Sequence, residues 1–412
     1  MEKRNVPKLR FKGFEDEWKE KKLGSLLEFK NGINADKEAY GKGIKFINVL
    51  DILNNNFITY ENILGYVDID DHSLEKYSVD YGDIVFQRSS ETREEVGTAN
   101  VYLDSKKATF GGFIIRGKKV GEYNPIFMNS LLKSSSARKE IVTKSGGSTR
   151  YNVGQDILSD VNVKLPSLEE QEKIANFLSN VDKIIEQQEG KVKDLELYKK
   201  GMMQKIFKQE IRFKDDNGEN YPEWSICKIN NIGKLISGIG FSEKYQGYSN
   251  FKYKFFKVSD MNLANNKKVM NISNNTVSDE MLREMKAKPI SEQSIIFAKV
   301  GAAIFLERKK IVNEKFLIDN NMMALEVSKN NNIEFIYYLL EKIKLSKYAQ
   351  VGALPSYNVS DIGNIKIKLP FLAEQTKIAN FLSNIDNIIE EENKKLEDLR
   401  QWKKGLLQQM FV

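Results

Sequence analysis

The side chains best suited to chemistry in this 412-residue chain are basic, amide and hydroxyl groups gathered in short polar loops. In the first half, Gln87-Arg88-Ser89-Ser90 follows the apolar run Ile84-Val85-Phe86, with Arg93 nearby. In the second half, Lys299 and Gly301 follow Ile295-Ile296-Phe297. A further loop, Gly146-Gly147-Ser148-Thr149-Arg150-Tyr151, corresponds to Gly352-Ala353-Leu354-Pro355-Ser356-Tyr357. Lys45 and Asn48 lie on the run Lys45-Phe46-Ile47-Asn48-Val49, and Lys257 and Ser259 on Phe255-Phe256-Lys257-Val258-Ser259. Arg and Lys neutralise phosphate, while Arg, Asn, Gln and Ser read base edges through hydrogen bonds, so the set suits nucleic-acid contact. Taken singly, each residue is better read as an ordinary solvated loop residue. Recurrence at matching places in both halves is what favours an interface.

Other chemistry is scarce. The chain has one cysteine, Cys227, and one histidine, His72. That excludes a disulfide framework, a Cys/His zinc site and a Cys–His dyad on any known spacing. A Ser-His-Asp triad would have to run through His72. There is no Gly-x4-Gly-Lys-Ser/Thr phosphate loop, no Gly-x-Gly-x-x-Gly fingerprint and no Gly-x-Ser-x-Gly elbow. Asn124-Pro125-Ile126-Phe127 comes nearest to the Asn/Asp-Pro-Pro-Tyr/Phe turn of amino-methyltransferases, but it lacks the second proline and reads as a helix start. Asp68 to Asp71, beside His72, could gather Mg²⁺, yet reads more simply as a solvated acidic loop. Cys227 has no nearby base and reads as a semi-buried filler.

Lys and Arg total 64 against 57 Asp and Glu, a formal charge of +7. This mild excess permits a polyanion partner without requiring one. The start, from Met1-Glu2-Lys3-Arg4 onward, has no apolar core, so no signal peptide is expected. The longest uncharged run, Tyr348 to Ser360, is too short and polar to span a bilayer. A cytoplasmic protein with no membrane partner is the expectation, and the near-absence of cysteine fits a reducing compartment.

The elements that must carry these loops are organised by a repeat. Residues 165–207 and 369–411 align without a gap, and 25 of the 43 positions are identical. The aligned blocks open LPSLEEQEKIANFLSNVDKIIE and LPFLAEQTKIANFLSNIDNIIE. Weaker matches extend outward: Arg10-Phe11-Lys12 with Arg212-Phe213-Lys214, Glu17-Trp18 with Glu223-Trp224, and Tyr151-Asn152-Val153 with Tyr357-Asn358-Val359. A period this long means two domains and not a solenoid. The expected boundaries are 1–164 and 211–368 for two globular domains, with 165–210 and 369–412 as two helical blocks.

Each block reads as one long helix. Ser167 is a candidate N-cap with Glu169 and Glu170 in the first turn, whereas the second copy has Phe371 at the cap. Steps of four and three reach Ile174, Leu178, Val181, Ile185, Val192 and Leu195 in the first block. They reach Ile378, Leu382, Ile385, Ile389, Leu396 and Leu399 in the second. Polar breaks fall at Gln188 and Lys199, and again at Glu392 and Lys403. A seven-residue stripe held this long specifies a left-handed coiled coil, and about 40 residues make a rod of roughly 60 Å. The stripe could build a homodimeric zipper, or it could pair the first helix with the second. The matched breaks and the high effective concentration within one chain favour antiparallel pairing inside the chain, related by a pseudo-two-fold axis. The globular halves would then sit at opposite ends of the rod.

Those halves read as β-rich, with strands at Asp83 to Phe86, Gly112 to Ile115, Phe255 to Val258 and Ser294 to Phe297. Short helices are expected at Pro125 to Lys133 and Ile333 to Leu345. The expected fold class is α+β: two β-rich domains separated by two long antiparallel coiled-coil helices, an internal pseudo-two-fold repeat.

The two Leu-Pro-x-Leu-x-Glu-Gln-x-Lys-Ile-Ala-x-Phe-Leu helices, Lys-Lys-Gly at 199–201 and 403–405, and the opening Val6-Pro7-Lys8-Leu9-Arg10-Phe11 together resemble the specificity subunit of type I restriction-modification enzymes. The resemblance covers essentially the whole chain. It implies that each variable half is a target recognition domain reading one part of a split, asymmetric double-stranded DNA sequence. It implies that the paired helices set the spacing and dock two methyltransferase subunits, which restriction subunits then join. It further implies a chain without catalysis or cofactor of its own, with S-adenosylmethionine, ATP and Mg²⁺ belonging to the partner subunits. Two other classes stay open on the residues alone: a stand-alone coiled-coil adaptor that binds protein, and a single-chain enzyme with a degenerate active site.

Overall fold

Apolar residues spaced three and four apart keep two long segments helical, Leu168–Phe207 and Leu372–Met410. The structure is a computed structural model that describes residues 5–147, 149–350, 352 and 354–412. Ser148 and Ala353 of the two glycine-containing loops, and Met1 to Arg4, lie outside the described residues. Ser167 caps the first long helix, its hydroxyl accepting from the Glu170 N–H at 3.3 Å.

The chain divides into two compact units. One joins the residues up to Lys191 to Asn393–Val412, and the other is Val192–Glu392. Each long helix therefore gives part of its length to each unit.

In the first unit, an antiparallel sheet runs in the order Leu27–Asn31, Ile114–Lys119, Ile84–Gln87, Ala99–Val101. A second sheet places Tyr40–Ile47 between antiparallel Gly65–Val67 and parallel Thr109–Phe110. Lys19–Lys22 pairs with Asn162–Leu165, which leads into the long helix. Asn124 caps the helix Pro125–Lys133, accepting from the N–H groups of Ile126 and Phe127 at 3.1 Å each, so Asn-Pro-Ile-Phe is a helix start.

The second unit repeats both sheets. Gly233–Ser237, Met322–Val327, Ser294–Ala298 and Lys309–Val312 form the antiparallel one. Tyr253–Phe256 lies between antiparallel Thr276–Val277 and parallel Phe316–Ile318 in the other. The expected strands are present with shifted ends. Asn48 and Lys257 leave their strands because each starts a short helical turn, Val49–Asn54 or Val258–Asn262. The helix expected over Ile333 to Leu345 stops at Lys342, where Ile343 turns extended.

The helical stripe does more than pair helices. In the first unit, Ile174, Leu178, Val181 and Ile185 share one core with Trp18, Phe86 and Phe127 of the globular part. Leu396, Leu406, Met410 and Phe411 of the returning helix join the same core. In the second, Ile378, Leu382 and Ile385 share a core with Trp224, Phe297, Phe335, Met203 and Ile206. Val192 is buried as well, and Leu195, Ile389 and Leu399 are half-buried. Each fully buried side chain of this kind contributes about 1.5–3 kcal/mol before entropy is counted.

A matched polar break is filled by a matched ion pair. Lys403 meets Asp182 in the first unit, and Lys199 meets Asp386 at 2.5 Å in the second. Arg400 and Glu189 pair at 2.6 Å, so in the first unit the segments run antiparallel. Such half-exposed pairs add little stability, but a slip of one turn would set the lysine against apolar side chains, so they hold register.

The Glu-Gln of the repeated motif clamps helix to domain. Glu170 is buried and accepts from Arg10 Nε and Nη2, both at 2.8 Å. Glu374 is buried and accepts from Arg212 Nη2 at 2.9 Å and from Trp224 Nε1 at 3.1 Å. Gln171 accepts from the Asn124 N–H and donates to the Pro166 carbonyl, both at 3.0 Å. Gln375 does the same with the Asn332 N–H and the Pro370 carbonyl, both at 2.9 Å. A buried carboxylate that loses its cation is strongly destabilising. Arg212→Ala is expected to lower the stability of the second unit by ~3–5 kcal/mol, and Glu374→Gln by less, because Arg212 is partly exposed and keeps Glu223 and the Tyr221 and Pro222 carbonyls as partners. Denaturant midpoints of the two variants test this; equal midpoints for Arg212→Ala and the parent would refute the clamp.

Candidate nucleic-acid interface

Arg88 leaves the end of the strand Ile84–Gln87 with its backbone pinned on both sides. Its N–H donates to the Phe113 carbonyl at 2.9 Å, and its carbonyl accepts from the Val153 N–H at 3.0 Å. The guanidinium is exposed, with Nη1 3.4 Å from the Gly112 carbonyl it donates to. Ser89–Ser90 pairs antiparallel with Tyr151–Asn152, and Ser89 Oγ donates to Asn152 Oδ1 at 2.6 Å. The two loops picked out in the sequence, Gln87 to Ser90 and Arg150 to Tyr151, are thus brought together.

An open depression of about 360 Å³ lies at this meeting point, lined by Val49, Gln87, Ser89, Phe113, Arg150 and Glu91 among others. Gln87 and Ser90 are buried at its floor. Gln87 Nε2 donates to the Ser89 carbonyl at 3.0 Å, while Gln87 Oε1 finds no partner among the described residues. Arg150 stands 4.0 Å from Glu91, both exposed, a pairing of little energetic weight. Arg93 is exposed on the adjoining loop. Lys45 sits on the neighbouring sheet, and Asn48 lies just past the end of its strand, with Nδ2 donating to the Phe46 carbonyl at 3.2 Å. The Lys45 ammonium is engaged, donating to the Ile63 carbonyl at 2.6 Å and lying 4.3 Å over the Tyr66 ring. Asn48 is exposed beside Val49.

The second unit builds the same framework with other residues. The Lys299 N–H donates to the Asn321 carbonyl at 2.7 Å, and the Lys299 carbonyl accepts from the Tyr357 N–H at 3.3 Å. Lys299 and Ser356–Tyr357 are therefore brought together, with Ser356 bridged to Val300. The Tyr357 ring is buried and its hydroxyl donates to the Ala298 carbonyl. Burial pushes that hydroxyl far above the ordinary tyrosine range, so it remains a neutral donor inside the framework. Lys257 Nζ donates to Gln246 Oε1 at 2.7 Å, and Ser259 is exposed.

Three contributors escape a reading of the sequence loops. Asp51 and Asp260 are buried carboxylates that accept from the Asn48 and Lys257 N–H groups, at 2.7 and 2.8 Å. They hold the tip of one sheet in each unit. A signal for them exists: Phe46-x-Asn48-Val49-x-Asp51 recurs as Phe255-x-Lys257-Val258-x-Asp260. Arg138, on the helix Ser135–Lys144, donates from Nη2 to the carbonyls of Glu94 and Val96 at 2.8 and 2.7 Å. It ties down the loop that carries Arg93, and burial lowers its pKa. Nothing in the sequence distinguishes it from any helical arginine.

The assembled groups are hydrogen-bond donors and acceptors on tips held by backbone bonds, the kinds of group that contact phosphates and base edges. Asp70 of the acidic cluster caps the helix Asp71–Tyr77, accepting from the Ser73 N–H at 2.8 Å. Among the described residues no three His, Cys, Asp or Glu side chains converge as a metal site, and no helix is long and apolar enough to cross a membrane.

Residues 15–197 and 221–401 both match the family model described as the type I restriction modification DNA specificity domain. The chain is 25% identical to the putative type I restriction enzyme MjaX specificity subunit of Methanocaldococcus jannaschii, over 95% of this chain and 92% of that one. It is 26% identical to the MjaIX specificity subunit of the same organism, over 86% and 83%. Its fold is like that of the type I restriction-modification S subunit from M. genitalium, with a TM-score of 0.55, 16% identity and 99% of each chain covered. A chain from a structure concerned with complex assembly and conformational transition of the type I R-M system gives 0.61, at 15% identity over 96% and 97%.

Arg138→Ala should release the loop it holds. Amide exchange across residues 91–97 is expected to quicken by about tenfold or more, since each lost buried hydrogen bond is worth roughly 1–3 kcal/mol to a charged donor. Unchanged exchange in that loop would show that other contacts fix it.

Proposed function

The chain belongs to the family of type I restriction-modification DNA specificity proteins, and from that premise we propose that its two units each read one half of a split, asymmetric DNA target. The observation that carries this reading is the duplicated framework with unlike tips. Arg88 and Lys299 are pinned by the same pair of backbone hydrogen bonds, yet the residues around them differ. Common scaffolding with divergent tips is what an asymmetric two-part target asks of a duplicated reader. The candidate contacts are Lys45, Asn48, Gln87, Arg88, Ser89, Ser90, Arg93, Arg150 and Tyr151 in the first unit. In the second they are Lys257, Ser259, Lys299, Ser356 and Tyr357. Those with buried or engaged polar groups, among them Lys45, Asn48, Gln87, Ser89, Ser90, Lys257 and Tyr357, act at least in part by shaping the tips.

The paired helices set the distance between the half-sites and dock two methyltransferase subunits. Support for two equal docking sites comes from apolar residues that remain exposed at equivalent repeat positions: Leu168 and Leu372, Ile184 and Ile388, Tyr198 and Trp402. Restriction subunits complete the assembly. The chain, as a specificity subunit, catalyses nothing itself. S-adenosylmethionine, ATP and Mg²⁺ act in the partner subunits, in the cytoplasm. The modest +7 charge leaves much phosphate neutralisation to those partners, so the isolated chain binds DNA weakly and with strong salt dependence.

Exchanging residues 1–164 for those of a relative is expected to change one half-site of the methylation motif and leave the other intact. A motif altered in both halves, or in neither, would refute independent reading. A matched insertion of four residues near Gln188 and near Glu392 adds ~6 Å of helix, roughly one to two base-pair steps of ~3.4 Å. The gap between half-sites should lengthen accordingly, read by methylation-aware sequencing of the host genome; changed half-sequences with an unchanged gap would sink the ruler.

A further inference from the structure

Each unit presents one exposed turn corner beside its pinned cation, and the two corners are structurally equivalent. In the first unit the Ile114 N–H donates to the Gly111 carbonyl at 2.9 Å, closing a turn over residues 111–114. In the second the Met322 N–H donates to the Asp319 carbonyl at 3.0 Å, closing the same turn over 319–322. Both turns follow the parallel strand of the smaller sheet and enter a central strand of the larger one. The residues that follow keep the same register, Ile114 opposite Gln87 and Met322 opposite Ala298. By this match Phe113 and Asn321 occupy one position, and each gives its carbonyl to the N–H of Arg88 or Lys299.

The corners stand on stiff ground. Ile33 and Ile239 donate from their N–H groups to the Phe110 and Ile318 carbonyls, at 3.1 and 3.0 Å. The preceding glycines lie against the turns so closely that a Cβ on Gly32 would fall 2.1 Å from the Gly111 oxygen, and one on Gly238 1.7 Å from the Asp319 oxygen. In the second turn Asp319 Oδ1 also accepts from the Asn321 N–H at 3.0 Å. Phe113 nevertheless leaves 66% of its surface in solvent, next to Arg150 in the open depression, and Asn321 is exposed. A large aromatic held out on a rigid turn, beside cations and hydroxyls, is suited to an apolar patch on a polar partner.

We propose that Phe113 and Asn321 are specificity-determining residues that contact base edges from the same position in the two units. Phe113 offers apolar surface alone and takes the C5-methyl of thymine, whereas the Asn321 amide offers a donor and an acceptor and takes adenine N6 and N7. The proposal rests on the DNA-reading function given above and extends it to two residues that no loop motif marks.

The test uses the full chain expressed with its methyltransferase subunits and reads the methylated motif across the host genome. Asn321→Ala is expected to relax one position in the half-site of the second unit, with preference there falling roughly tenfold to a hundredfold. Phe113→Asn should change or relax one position in the half-site of the first unit, moving it toward adenine. All other positions should stay as they are. Intact motifs in both variants overturn the proposal, and so does a uniform loss of methylation at every site, which would mark Phe113 as a wedge or general anchor. The exchange of residues 1–164 separates the two levels. If it moves a half-site while Phe113→Asn and Asn321→Ala move nothing, the two residues are wrong and the reading stands. If it moves nothing either, both fall.

Discussion

A buried carboxylate at the start of each long helix, held by an arginine near the beginning of the same domain, determines where the helix leaves the globular part. Glu170 with Arg10 and Glu374 with Arg212 are the two instances. Desolvating an ion pair is costly, so the pair is poor as a source of stability and good as a source of position. Once it is seated, the adjacent glutamine ties the long helix to the cap of the helix Pro125–Lys133 or Ile333–Lys342, and the apolar stripe comes to face the domain. Phe11 against Phe177 and Phe213 against Phe381, 5.7 and 5.5 Å between ring centres, set the rotation of the helix next to each clamp. The aromatic triads then close: Trp18 with Phe127 and Phe411, Trp224 with Phe335 and Phe207.

Much of this was legible from spacing. The repeat, the two helices, the cap at Ser167 and the helix at Pro125 all follow from local patterns that the structure keeps. The stripe was legible as buried but not as shared: a heptad pattern reports which side of a helix is covered, and not by what. Ile174 and Leu178 cover domain core as well as helix. The candidate tips were half legible. Arg88 and Lys299 stand out because a cation follows an apolar run. Phe113 and Asn321 do not, since the strand before each turn is only two or three residues long and the turn residues share no identity. Their equivalence exists only in hydrogen bonds between segments far apart in the chain.

That division has a physical basis. Framework positions are constrained by burial and by obligatory backbone hydrogen bonds, so the two copies retain the same sheets, registers and capping carboxylates. Tip positions answer only to solvent or a partner, and the copies have drifted apart there. Asp319 shows how the framework absorbs the drift. Where the first unit uses Gly111 to form its turn, the second uses an aspartate whose side chain bonds the turn's own backbone.

The interleaving of the units has a consequence for the order in which the molecule forms. The second unit is contiguous, Val192–Glu392, whereas the first needs Asn393–Val412 to complete its core around Trp18. Closing so long a loop is thermodynamically mild, since each doubling of length adds only ~0.6 kcal/mol. In time it is severe. On a ribosome the second unit can close while the first, made earlier, still waits for Phe411 and for the hydrogen bond from the Leu9 N–H to the Gln409 carbonyl, in the last turn of the helix, at 2.9 Å. The half synthesised first is thus the half whose core is completed only by the last residues to be made.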